Sequence, residues 1–216
     1  MARKLADLFS RRQGTNSGNT LIGHEKSWGK LTPIFKSRKS EKDCYKVFAY
    51  ERSEIVPIGS NQISTHPQRI ICGVPTEFFS IMFADLYDPM AIPSAWQKFW
   101  AEFPKADMPS NTQAFGVSIP IEDSNGKLHY VAGVEVKAGY EAPEGFELVV
   151  IPAGNYLEVT HEGPISDLAP SYGEAYGVVL PQSGAQMRGG PHLELYDAML
   201  NPNADDYKMG ILIPVK

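Results

Sequence analysis

AFGVSIPIEDSNGKLHYVAGVEV, residues 114–136, is the stretch that decides the fold. AFGVSIPI and LHYVAGVEV are β-branched and aromatic, so both read as strands. Between them lies EDSNGK, and Asn125-Gly126 is a strong hairpin signal because such a turn needs positive φ at its centre. Upstream, PSAWQKFWAEF (93–103) places Trp96, Phe99, Trp100 and Phe103 at helical spacing on one apolar face, with Pro93 and Ser94 as start signals. Before it, RIICGVPTEFF (69–79) has strand character. Residues 69–136 therefore read strand, helix, strand, strand.

The second half repeats that order. FELVVIPAGNYLEVTHEG (146–163) reads as one long strand, or a strand with a bulge. ISDLAPSYGEAYGVVL (165–180) reads as a helix with Leu168, Tyr172, Tyr176 and Val179 on one face, capped by Ser166 or Asp167 and closed by PQSG. HLELYDAML and YKMGILIPV flank NPNADD as a second hairpin. The repeated order predicts an α+β domain with pseudo-twofold symmetry. Its modules span about 68–138 and 145–216. Neither sheet can bury its face alone, so the two pack together or share a cleft.

Ahead of this body, residues 1–43 carry 10 Lys/Arg against 4 Asp/Glu, while residues 44–216 carry 10 against 21. The net charge of −5 thus divides into a basic segment and an acidic body. Residues 1–43 read as weakly structured, apart from a short amphipathic helix bearing Leu5, Leu8 and Phe9. Residues 44–67 read as a connecting segment with a strand at 45–50. The acidic body argues against nucleic acid as main partner, since that binding rests on phosphate neutralisation; only residues 1–43 carry the charge for weak contact. Nothing is apolar for long enough to span a membrane, and a cytoplasmic location is expected. Cys44 and Cys72 stand alone and read as reduced thiols. The five scattered His form no metal motif, and no cofactor is expected.

The second half also resembles a known family, the GyrI-like or AraC-type effector-binding domains. The residues carrying the resemblance are IPAGNYLEVTHEGP (151–164), PHLELYD (191–197), ILIPVK (211–216) and, more loosely, AFGVSI followed by YVAGVEV. It covers residues 68–216. It implies two modules around a central ligand groove, in which relatives bind large cationic or hydrophobic molecules against aromatic rings and a buried carboxylate. That carboxylate carries over to Glu194, with Tyr196 beside it.

By the residues themselves, the strand period of two puts Leu193 and Leu195 on one face and Glu194 and Tyr196 on the other. If that face is solvent, Glu194 is an ordinary surface carboxylate. If it lines a groove, a desolvated anion among rings suits a lipophilic cation. The candidate ligand-binding residues are Glu194, Tyr196, Trp96, Trp100, Tyr130, Tyr172 and Tyr176, with Trp100 and Tyr172 foremost for reaching a cleft. Most of the 23 aromatic residues are expected to be plain core. Ser166, Asp167 and His161 contain no nucleophile elbow, and His161 reads as structural. A small-molecule-binding protein is the leading reading. Its rivals are a hydrolase of strained electrophiles, with Glu194 as base and Tyr196 as hydrogen-bond donor, and a protein-interaction role such as gyrase inhibition. Oligomeric state is open.

Overall fold

The computed structural model describes residues 58–216 apart from 81, 82, 84, 111, 112 and 199. The expected N-terminal helix, the basic segment and the strand at 45–50 lie outside the described residues. The described chain runs β1 (Ile58–His66), β2 (Arg69–Phe79), α1 (Ala91–Glu102), β3 (Gln113–Pro120), β4 (Lys127–Glu135), β5 (Glu147–Ile151) and β6 (Gly154–Glu162). A short 3-10 turn (Ile165–Asp167) then leads into α2 (Leu168–Glu174), a π-helical turn (Ala175–Val179) and α3 (Leu180–Ser183), followed by β7 (His192–Asp197) and β8 (Lys208–Val215). The domain is α+β, with the expected duplication.

All eight strands form one antiparallel sheet in the order β1-β6-β8-β7-β3-β4-β2-β5. The two units meet at its centre, where β3 pairs with β7 and Gly116 sits opposite Glu194. Asn125 (φ 56°) and Gly126 (φ 92°) supply the left-handed turn that brings β4 back beside β3.

The stretch 146–163 is not one strand. It divides at Pro152-Ala153 into β5, which pairs with β2, and β6, which pairs with β1 and β8. Pro152 has no N–H to continue a ladder, so the chain leaves one end of the sheet there. Pro67-Gln68 does the same between β1 and β2. Each unit thus lends its first strand to the other. Two residues cannot span a flat eight-stranded sheet, so the sheet curls until its ends approach. Ile71, Val149 and Ile151 from one half and Tyr156 and Leu212 from the other accordingly share one core cluster on the inner face.

Both helices cover the outer face. On α1, the Trp96, Phe99 and Phe103 side is buried against Cys72, Tyr130 and Val134. Ala175 and Val179 pack on Leu157, Val159, Ile211 and Ile213. α1 begins at Ala91, earlier than the Pro93-Ser94 signal, with Asp88 holding the Met90 N–H through its side chain and the Ala91 N–H through its carbonyl. Pro93 then falls in the first turn, where a missing N–H costs nothing. The expected caps at Ser166 and Asp167 are absent: neither side chain caps a helix, and Ser166 instead donates to Asp167. The second helix also runs past the expected stop to Ser183, and Gly184 (φ 70°) closes it. In a straight α-helix the Pro181 ring would strike the Gly177 carbonyl; the wider π turn just before it removes that collision.

Candidate functional site

Glu194 lies at the centre of the sheet, on the face the two helices cover, and is 7% exposed. Three phenol hydroxyls donate to it: Tyr130 to Oε2 at 2.9 Å, Tyr196 to Oε2 at 2.6 Å and Tyr172 to Oε1 at 2.7 Å. These come from β4, from β7 itself and from α2, so both units converge on one carboxylate. Among the described residues no Lys, Arg or His forms an ion pair with it. Burial first, and the Glu194 charge second, hold all three tyrosines well above their ordinary range, so they remain neutral donors. Among the described residues, this buried carboxylate is met by hydroxyl hydrogen bonds in place of an ion pair.

Gly116 is what makes room for it. A Cβ at Gly116 would overlap Tyr130 Oη and Glu194 Oε2, so any larger residue there must displace the carboxylate or its donor.

Two stacked aromatic pairs stand over the sheet, each spaced i, i+4 on its own helical segment. Trp96 and Trp100 on the first have ring centroids 6.0 Å apart at 19°. Tyr172 and Tyr176 on the second stand 6.2 Å apart at 12°. Trp96 meets Tyr196 edge-on at 5.2 Å and donates its indole N–H to Tyr130 Oη at 3.1 Å. The outer ends of the two pairs differ. Tyr176 Oη shares a 2.6 Å hydrogen bond with His192 Nδ1, whereas the buried Trp100 indole N–H has no hydrogen-bond partner among the described residues.

All seven candidate residues therefore form one connected set around Glu194. Tyr130 is fully buried and Trp96 nearly so, while Trp100, Tyr172, Tyr176 and Tyr196 are partly exposed. The rings close over the carboxylate. A depression of about 300 Å³ lined by Gln113, Thr160, Tyr196, Asp197 and Lys208 lies at the end of β3, β7 and β8, so it borders the candidate set at Tyr196 without reaching Glu194.

Sequence reasoning missed Gly116 and His192. His192 had a legible signal: it stands two residues before Glu194, on the same strand face. Burial first, and Arg188 second, lower its imidazole to about 4, so it is neutral at pH 7. His161 is fully buried and bonded to Ser171 Oγ and to the carbonyls of Gly163 and Pro164, a structural tie between β6 and the second helix. Among the described residues, no group of three or more His, Cys, Asp or Glu converges for a metal, and no helix is long and apolar enough to cross a membrane.

Comparison with known proteins gives three findings. A family model described as GyrI-like small molecule binding domain matches residues 81–216. The transcriptional regulator BrlR of Pseudomonas aeruginosa is 34% identical over 98 residues, 44% of this chain and 35% of that protein. The chain thus spans about a third of the length of that curated relative. Among solved structures, SAV2435 bound to tetraphenylphosphonium superposes with a TM-score of 0.58 at 18% identity, over 73% of this chain and 94% of that one. An integron cassette protein from the mobile metagenome of Vibrio cholerae gives 0.57 at 14% identity, over 76% and 100%.

Proposed function

This chain belongs to the GyrI-like small molecule binding domain family, and from that premise we propose that it is a cytoplasmic protein that senses or sequesters amphipathic, cationic or hydrophobic molecules, with Glu194 as the anchor. The observation that carries the reading is a carboxylate 7% exposed, with three hydroxyl donors and, among the described residues, no cationic partner. Burying a carboxylate charge without a counter-ion is costly, and a cation brought to it offsets part of that cost. The partly exposed rings of Tyr172, Tyr176, Tyr196 and Trp100 add cation–π attraction of about 0.5–2 kcal/mol each. A lipophilic cation matches both features, because it leaves water cheaply and needs no hydrogen bonds.

The hydrolase reading has less support. A general base needs room for a bound water, and phenol hydroxyls already take three of the about four acceptor positions of the Glu194 carboxylate.

The test is a tetraphenylphosphonium titration followed by tryptophan fluorescence. Glu194→Gln keeps the shape and removes the charge, and is expected to weaken binding about tenfold or more. Equal affinity in the two proteins would remove Glu194 from the role.

A further inference from the structure

His192 bears on the same site through Tyr176. It opens β7 and points to the face of Glu194 and Tyr196, opposite Ser118 of β3. Its Nδ1 is 2.6 Å from Tyr176 Oη. Tyr176 lies in the π-helical turn and stacks on Tyr172 at 12°, and Tyr172 donates to Glu194 Oε1 at 2.7 Å. A continuous chain thus runs His192, Tyr176, Tyr172, Glu194. It starts and ends on one strand, with the helical segment held between. Among the described residues the tryptophan pair has no such outer tie, since the Trp100 indole N–H has no hydrogen-bond partner there.

We propose that His192 is a positioning residue of the ligand site: its Nδ1 accepts the Tyr176 hydroxyl and fixes the tyrosine pair as the rigid wall. The inference rests on the reading of Glu194 as the ligand anchor. A phenol ring on a helix ordinarily rotates about its side-chain torsions. Tethering the outer ring at its hydroxyl holds the inner ring in register by stacking, which keeps the Tyr172 hydroxyl on Glu194 and one aromatic face presented to the ligand. Preorganised rings lose less freedom on binding, so affinity rises without a new ligand contact. The tryptophan pair, untied at its outer end, is the wall that adapts to ligand shape.

The test uses tetraphenylphosphonium and the full chain, with Glu194→Gln titrated in parallel. His192→Phe keeps bulk and removes the acceptor; Tyr176→Phe removes the same hydrogen bond from the other side without touching the strand. Each is expected to weaken binding about 3- to 10-fold, the worth of one hydrogen bond. The double variant is expected to be no weaker than either single one, because both delete one interaction. His192→Asn places an amide oxygen near the Nδ1 position and is expected to return affinity to within about twofold of wild type. A purely structural role for His192 predicts no such rescue. Wild-type affinity in His192→Phe or Tyr176→Phe, alongside a weakened Glu194→Gln, overturns the positioning role and leaves the site standing. Additive losses in the double variant overturn it as well. Wild-type affinity in Glu194→Gln removes the site reading itself, and this inference with it.

Discussion

Gly116 and Glu194 face each other across the central pair of strands, and the site depends on their being unlike. One position supplies the charge, and the other supplies the space for it. Gly116→Ala forces a methyl against Tyr130 Oη and Glu194 Oε2. It is expected to cost about 1–3 kcal/mol in urea denaturation and to weaken cation binding in the same titration, since the donors must shift. His192 gives a second residue-scale expectation. Its imidazole is lowered to about 4 in the folded protein, against an ordinary value of 6.5. The unfolded chain therefore binds the proton more readily than the folded one. The resulting stability is fully present above pH 6.5 and is lost as pH falls from 6.5 towards 4. Between pH 7 and pH 5, wild type is expected to lose on the order of 1–2 kcal/mol more than His192→Asn in urea unfolding. Equal losses in the two proteins would contradict that assignment. Strand alternation alone puts Glu194 and Tyr196 on one face, and the family resemblance is what singles out Glu194 as the proposed anchor. The crowding at Gly116 was not legible in the sequence, because it arises from side chains on the two neighbouring strands, Tyr130 of β4 and Glu194 of β7.

The helices and hairpins follow local chemistry closely. The 3,4 spacing of Trp96, Phe99, Trp100 and Phe103 became the buried side of α1, and Asn125-Gly126 became the left-handed turn between β3 and β4. Gly126 also lies under the Phe83 ring, so a Cβ there meets both strain and a clash. Gly126→Ala is expected to lower stability by about 1–3 kcal/mol, read as a shift in the urea midpoint. An unchanged midpoint would mean that the turn relaxes freely. The second helix shows where local reading stops. Pro170, Gly173, Gly177 and Pro181 all weaken a helix on propensity, yet the segment stays helical from Leu168 to Ser183. The buried side chains of Ala175 and Val179 hold it down on β6 and β8, and the π turn accommodates Pro181. Packing outweighs propensity there, and the ring stack of Tyr172 on Tyr176 is set along that same irregular stretch.

At the scale of the molecule, the exchange of β1 and β5 ties the units into one body. Residues 58–138 by themselves would lack β6 for β1 and β5 for β2, and the pairing of β3 with β7 would be absent. The full chain is expected to unfold in urea as one cooperative transition, and neither half expressed alone is expected to show one. A cooperative transition in either half would show that the modules are independent. The duplicated order of elements was readable from the sequence, because hydrophobic period and turn residues are local signals. So were the shared faces of β7 and of the helices, from period two and from spacing of three and four, while the choice of Glu194 rests on the family resemblance and that of Tyr130 on the repeat. The exchange of first strands was not, because Pro152 can announce a break but not the strand that accepts the chain beyond it. Nor were the environment of Glu194 and the tie from His192 to Tyr176. Burial, and the partners that make a charge tolerable, arise only when strands and helices distant in sequence are brought into contact. The sequence by itself determined the elements and the faces of this protein; the tertiary structure decided which faces meet, and so which carboxylate lost its water.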